Sequence, residues 1–369
     1  MATTLKQIAE ILNLDYSTVS YALSGKGSIN EATRQRVREA ADELGYIPNG
    51  LARRMRAKQT HSLGIVLPDS ILNYNEIIQQ IYRCAIGRGY EMQITLTEFD
   101  EHAEDRAIRS LLESRLDGII VRSRYGTWDE VPQGAALRQA AAQQIPVVIY
   151  GKTMTGSPFP SFARPLAANA VKVVGHLLDL GHRNIAVLLP VPGDRYNYPH
   201  QSTVDGARQA YTQRGIDPMQ LAVQNLDQDA PAPIDGFDAS YGNYLDESLP
   251  RRALARGRIL LESALRMSPT PTAVVAYNEI TGIGACLEAN RLGLQVPTDI
   301  SVVAVTRGLA ADLAPQPMTT CDALPREVAE AALDLLVETI AGTADASTIR
   351  MVEPFLYIGT TTSVPITPQ

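Results

Sequence analysis

Four basic side chains, Arg53, Arg54, Arg56 and Lys58, fall within six residues, and no acid lies between positions 51 and 60. Cations at that density repel one another in water and gain most by displacing counterions from a polyphosphate backbone. A second set, Arg122, Arg124, Lys152, Arg195 and Arg307, sits in loops that follow apolar runs. Guanidinium forks in such loops match the geometry of carboxylates and phosphates, although a lone Arg is more often a solvated surface charge. Trp128, the single tryptophan, offers a ring for stacking on a ligand or for packing in a core. Bond-making chemistry finds no foothold. The five histidines (61, 102, 176, 182 and 200) have no Ser or Cys partner in a recognisable frame, and there is no P-loop, zinc spacing or dinucleotide fingerprint. We therefore expect no enzyme, no cofactor and no metal. Cys84, Cys286 and Cys321 are odd in number and far apart, which fits reduced thiols in a cytoplasmic protein.

The elements that must position these groups are legible. Thr4 and Gln7 form a capping box before a first helix with Ile8, Ala9, Ile11 and Leu12 on one face. Asn13-Leu14 breaks that helix. Asp15 caps a second, Tyr16–Leu23, with Val19, Ala22 and Leu23 at helical spacing, and Asn30 caps a third whose inner side is Val37, Ala40, Ala41 and Leu44. Two helices closed by a tight turn and backed by a third make a helix-turn-helix, whose second helix enters the DNA major groove. Residues 50–57 are helical by pattern but too short and too basic to fold unaided. Charge follows the same division. Residues 1–60 hold nine Lys/Arg against six Asp/Glu, so in a chain of net charge −7 the head carries +3 and the rest −10. A basic module on an acidic body suits one end that meets phosphate.

From His61 apolar runs alternate with helical stretches: strands near 63–68, 91–96, 117–121 and 145–150, then a second series near 184–189, 221–226, 273–277 and 300–305. The intervening helices include 104–114, 135–143, 166–180, 203–214, 252–267 and 280–292. This alternation predicts two lobes of doubly wound parallel sheet, with ligands at the carboxyl ends of the strands. Residues 228–250, rich in Pro, Asp, Gly and Tyr, read as a long loop. No run of eighteen apolar residues and no leader pattern appears, so neither a membrane span nor export is expected. The apolar stretches Ile77-Ile78-Ile81 and Leu333-Leu336-Val337 read as core or as subunit interface, and the tail Ser363–Gln369 offers no coiled coil.

These residues resemble the LacI/GalR (lac repressor) family over nearly the whole chain. The likeness rests on Thr4-Leu5 with Ile8-Ala9, Thr18-Val19-Ser20, Thr33-Arg34, Leu44-Gly45-Tyr46, Pro48-Asn49 and Leu51-Ala52 in the head. Later strings are Gly64-Ile65-Val66, Leu67-Pro68-Asp69, Asp117-Gly118-Ile119-Ile120, Leu180-Gly181-His182-Arg183 and Asp299-Ile300-Ser301-Val302-Val303. The resemblance implies a helix-turn-helix head (1–49), a hinge helix (50–60) and a periplasmic-binding-protein-like (type I) core. In that core, 61–162 plus 296–324 are expected to form one lobe, and 163–295 plus 325–369 the other. It also implies a homodimer on a pseudo-palindromic operator. The DNA-facing set would be Thr4, Tyr16, Ser17, Thr18, Ser20, Tyr21, Ser24, Asn30, Arg34, Asn49, Ala52, Arg53, Met55 and Arg56. Tyr16, Ser17 and Tyr21 would face base edges, with Thr18, Ser20 and Ser24 on phosphates or caps. Met55 stands where relatives insert a Leu into the minor groove, and Met is a competent wedge. Tyr21 replaces a usual Arg, so no operator sequence can be borrowed.

The effector site implied comprises Asn73, Tyr74, Arg122, Trp128, Lys152, Arg195, Thr203, Asn278, Glu279 and Arg307. Here too the chain departs from its relatives. Glu279 replaces a usual Asp, Thr203 replaces an Arg, Val305-Thr306-Arg307 replaces a run containing Asp, and Pro165-Leu166 replaces Asp-Asn. Two ligand classes stay open, a neutral sugar or sugar derivative and an anionic metabolite. So do two signs of control, a repressor released by its effector and a corepressor-dependent repressor or activator. A solute-binding receptor for transport is a further reading, against which the DNA-binding head counts.

Overall fold

The structure is a computed structural model that describes residues 4–24, 28–46, 59–68, 71–97, 101–189, 197–225, 250–308, 310–314 and 316–366. At 24, 71–75, 101, 197–200, 225, 250–252 and 313 only the backbone is described. Two compact units make up the chain, Met1–Thr60 and His61–Gln369.

The first unit holds α1 (Leu5–Leu12), α2 (Tyr16–Ser24) and α3 (Glu31–Glu43). The capping box is formed: Gln7 N donates to Thr4 Oγ1 at 3.3 Å, and Thr4 N donates to Gln7 Oε1 at 2.8 Å. Asn13, at φ 50°, ends α1 in the left-handed region that Asn tolerates. At α3, Thr33 N donates to Asn30 Oδ1 at 2.7 Å. One small core, Ile8, Ala9, Val19, Ala22, Val37, Ala40 and Ala41, joins all three helices. Ile11 departs from its expected face and is exposed, because the α1 stripe narrows to Leu5, Ile8, Ala9 and Leu12. Leu44, the residue that caps α3, is exposed as well.

The second unit contains two six-stranded sheets. The first sheet comprises β1 (Ser62–Pro68), β2 (Glu91–Thr97), β3 (Gly118–Val121), β4 (Val147–Gly151), β5 (Ser161–Ala163) and β11 (Ile349–Arg350). Their order is β11-β5-β4-β3-β1-β2, parallel throughout. The second comprises β6 (Ile185–Leu189), β7 (Ala222–Asn225), β8 (Ala273–Ala276), β9 (Ser301–Ala304), β10 (Thr319–Asp322) and β12 (Phe355–Tyr357). The order there is β12-β10-β9-β8-β6-β7, with only the β12 edge antiparallel.

Helices cover both faces of each sheet. On the first are α4 (Ile71–Gly87), α5 (Glu101–Glu113), α6 (Ala136–Ala142) and α12 (Pro325–Ala341); on the second, α7 (Leu166–Asp179), α8 (Asn197–Gln213), α9 (Pro250–Ala264) and α10 (Glu279–Arg291). A single turn, α11 (Ala310–Leu313), precedes β10. Strand period decides which face each residue serves. Ile185, Val187 and Leu189 join the α7–α8 core, while Ala186 and Leu188 join the α9–α10 core. In the first sheet Leu63, Ile65 and Leu67 pack with α4 and α12, and Val66, Ile119 and Val121 pack with α5 and α6. Each such fully buried Ile or Leu contributes roughly 1.5–3 kcal/mol.

The expected division of the lobes needs correction. The resemblance places 296–324 in the first lobe, but β9 and β10 extend the second sheet. It places 325–369 in the second, but α12 buries Leu333, Leu335 and Leu336 against the first sheet's core, and β11 pairs with β5. The chain thus crosses between the lobes three times, after β5, after β10 and after β11. Ile77, Ile81, Leu333 and Leu336 are core. Helix α8 starts six residues before its expected first turn; of the expected loop 228–250, residues 228–249 lie outside the described residues and Pro250 instead opens α9. Residues 361 and 363 are tied to the second sheet's unit: Thr361 Oγ1 donates to Val302 O at 2.6 Å, and His182 Nε2 lies 2.8 Å from Ser363 O.

Candidate nucleic-acid face and ligand cleft

In the head, α2 turns Val19 and Ala22 inward, which leaves Tyr16, Ser17 and Tyr21 outside. Tyr16 is 44% and Tyr21 50% exposed, so neither ring serves as a core residue. Thr18 and Ser20 are half-buried on the same helix. Residues 16, 17, 20 and 21 repeat at i, i+1, i+4 and i+5, one face of a helix. Thr4 and Asn30 spend their side-chain oxygens on helix caps. Arg34, partly buried, reaches Glu31 at 3.5 Å. The Ser24 side chain, Asn49, Ala52, Arg53, Met55 and Arg56 lie outside the described residues, as does the expected hinge helix over 50–57.

In the core, the carboxyl ends of three adjacent strands are each followed by a basic residue. Arg122 follows β3, Lys152 follows β4 and Arg164 follows β5. Gly151 is their common neighbour. Its φ of +86° suits glycine, the Arg122 side chain lies across it so that a β-carbon would meet Cδ at 2.9 Å, and Arg164 N donates to its carbonyl. Lys152 is 6% exposed, and its Nζ donates to Arg124 O at 3.2 Å. Burial first, and then the Arg122 charge, push this ammonium down to about 7, against the opposite pull of Glu104 and Glu130. Glu104, also buried, accepts from Ser123 Oγ at 2.7 Å and from Arg124 N at 2.8 Å. Its carboxyl is raised because burial outweighs those bonds.

A second group gathers where the chain crosses between lobes. Asp322, at the end of β10, accepts from Arg164 Nη2 at 2.8 Å and from Arg307 N at 3.4 Å. That ion pair links the first crossing to the second. Arg307 Nη1 donates to Thr320 Oγ1 at 3.2 Å, Nη2 pairs with Asp312, and the guanidinium lies 4.2 Å from the Tyr357 ring centroid beside the third crossing. Asn278 caps α10, accepting from Thr281 N at 2.8 Å. Glu279 opens that helix, is 3% exposed and is pushed up to about 7 by burial. Asp322 raises it further, while Arg164 and Arg307 pull it down.

The structure therefore brings Asn278, Glu279 and Arg307 together, and Arg122 with Lys152. Thr203 is wholly buried on α8. Trp128 packs edge-on against Phe159 at 5.8 Å, with the Arg138 guanidinium 4.8 Å from its ring centroid, as part of the first lobe's packing. The side chains of Asn73 and Tyr74, and all of Arg195, lie outside the described residues. Sequence reasoning missed Arg164, Asp322 and Glu104. Arg164 follows β5 and Asp322 ends β10, two strands with weak local signals, though Thr319-Thr320-Cys321 carries β-branched residues. Among the described residues no cluster could hold a metal ion, and no helix is long and apolar enough to cross a membrane.

Comparisons with known proteins bear on this geometry. Residues 4–49 match the family model of bacterial regulatory proteins, lacI family; 60–236 match periplasmic binding proteins and sugar binding domain of LacI family; and 174–362 match a periplasmic binding protein-like domain. The HTH-type transcriptional regulator DegA of Bacillus subtilis is 28% identical over 87% of this chain and 86% of its own length. The ribose operon repressor of Escherichia coli is 26% identical over 91% and 93%. A crystal structure of the lac repressor dimer bound to operator and the anti-inducer ONPF superposes with a TM-score of 0.79 at 22% identity, covering 98% of this chain and all of the other. That likeness concerns the fold.

Proposed function

Because this chain belongs to the lacI family of bacterial regulatory proteins, we infer that it is a repressor whose hold on an operator is changed by a small molecule bound between its lobes. It is a DNA-binding transcriptional regulator. The observation that carries the finer reading is the outward face of α2, where Tyr16, Ser17 and Tyr21 stand exposed on a helix anchored by Val19 and Ala22. Phenol and hydroxyl groups donate and accept, and Tyr rings contact thymine methyls, so this face suits direct readout in a major groove. The sequence adds Arg53, Arg54, Arg56 and Lys58 for phosphates.

A two-fold pair of such heads fits an inverted repeat, so a homodimer in the cytoplasm is the working form. The effector, a sugar or sugar derivative, sits at the strand ends and acts by binding one lobe arrangement more tightly than the other. The protein performs no covalent chemistry in this reading. The test is selection of a randomised duplex pool on the purified protein, followed by gel shift. Enrichment of one inverted repeat, bound far more tightly than its scrambled counterpart and lost with Tyr16→Ala plus Tyr21→Ala, is the expected result. Equal binding of scrambled duplex overturns it.

A further inference from the structure

Resting on the reading that a small molecule binds between the lobes, we propose that this effector carries a carboxylate or phosphate that docks on the cationic seam of Arg122, Lys152, Arg164 and Arg307 and competes there with Asp322.

Placement comes first. Three of these basic residues begin the loops of three neighbouring parallel strands, Arg122 lying over Gly151 and Arg164 bonding the Gly151 carbonyl through its backbone N, at the carboxyl edge where open α/β sheets take ligands. The fourth, Arg307, follows β9 in the other lobe; its backbone N–H shares the Asp322 carboxylate with the Arg164 guanidinium, while its own guanidinium pairs with Asp312. One acid therefore joins a strand end of each lobe.

That acid already does what a ligand would do. Asp322 takes the Arg164 guanidinium and the Arg307 N–H on one oxygen, Oδ2, while Oδ1 accepts from Ala323 N at 2.8 Å. A ligand carboxylate or phosphate presents the same acceptors with both faces free, the geometry guanidinium groups prefer. A neutral polyol supplies hydroxyl oxygens but no charge to offset partly desolvated cations.

The other acids near these cations already have partners. Glu104 is turned onto Ser123 and Arg124 N, Glu130 accepts from Gly126 N, and Asp312, 61% exposed, pairs with the Arg307 guanidinium. Glu279 is buried with its carboxyl raised, so near neutrality it contributes only a fraction of a charge. Lys152 is held down partly by the like charge of Arg122, a repulsion that an incoming anion relieves.

The location also supplies the coupling. Arg164 sits in the first crossing and Asp322 at the start of the second, so an anion that takes Arg164 from Asp322 cuts a link between crossings. Differential affinity for the two lobe arrangements follows from that exchange.

Calorimetric titration of the full-length protein with matched pairs tests the proposal: aldonates, uronates and phosphosugars, each beside its neutral parent sugar, and inorganic phosphate alone. Operator affinity is measured on the same preparations without additive. At least one charged member is expected to bind about tenfold or more tighter than its parent. Asp322→Asn should tighten that binding about tenfold by removing the competitor, and Arg164→Gln should weaken it about tenfold. Preference for phosphosugar over uronate, or the reverse, names the anionic group. Neutral sugars binding as tightly as their acids, no anion binding at all, or anion affinity unchanged in Asp322→Asn overturns the proposal. With operator binding intact, such a result removes this inference alone; loss of sequence-specific operator binding removes the functional reading beneath it. Should Arg164→Gln fail to fold, Asp322→Asn carries the test.

Discussion

The proposed recognition face of α2 and the proposed ligand seam between the lobes are both polar, yet they are built in opposite ways. Tyr16, Ser17 and Tyr21 stand in solvent on a helix held by a separate apolar side. Arg164, Asp322, Arg307 and Glu279 are partly or wholly withdrawn from water and are already engaged with one another. A surface that reads DNA needs donors and acceptors whose water can be exchanged at little cost. A switch needs groups whose pairing differs between two arrangements, so its residues take part in stability and response together.

Four substitutions break or sharpen that contrast, in descending order of effect. Gly257 on α9 has no side chain because the α10 backbone passes there, and a β-carbon would collide with the Thr281 carbonyl oxygen. Gly257→Ala should cost about 3 kcal/mol or more in urea unfolding of the core, since neither backbone can yield, and should disturb the α10 start that carries Asn278 and Glu279.

Glu279→Gln probes the seam through pH. The folded carboxyl titrates near 7 against an ordinary 4.5, so between those values the unfolded chain loses its proton first. Stability of the parent protein therefore falls as pH rises from about 4.5 and levels off above 7. The amide variant lacks this loss. Its stability relative to the parent should be greater at pH 8 than at pH 4.5 by on the order of 2 kcal/mol, read from urea midpoints. A flat difference across that range shows a carboxyl that titrates normally.

At the head the effect moves from stability to affinity. Tyr21→Ala should weaken binding to the selected operator by about 1–3 kcal/mol while leaving the urea midpoint within about 0.5 kcal/mol of the parent. A large stability loss there erases the contrast between the two regions. Thr4→Ala removes the α1 cap and should cost the head about 1 kcal/mol, seen as a lower melting temperature by circular dichroism.

Much of this was legible before any coordinates. The Thr4–Gln7 capping box, the Asn30 cap, the Val19 and Ala22 spacing and the apolar runs of β1, β3, β6 and β8 depend on contacts within one element, and those are written locally. Failures came where local signals were weak. Three-residue β5 and two-residue β11 are too short to show periodicity, and Ile11 fits an amphipathic pattern but has nothing to pack on.

The sequence by itself determined a basic three-helix head, an acidic α/β body and the side chains available for phosphate, because composition and period need no partner. Only the tertiary structure decided that 296–324 belongs to the second sheet and α12 to the first. It alone set Arg164 against Asp322, 158 positions apart, at the crossings between lobes. Pairing at that separation is fixed by which strand ends the sheets bring together, and no local pattern encodes that choice.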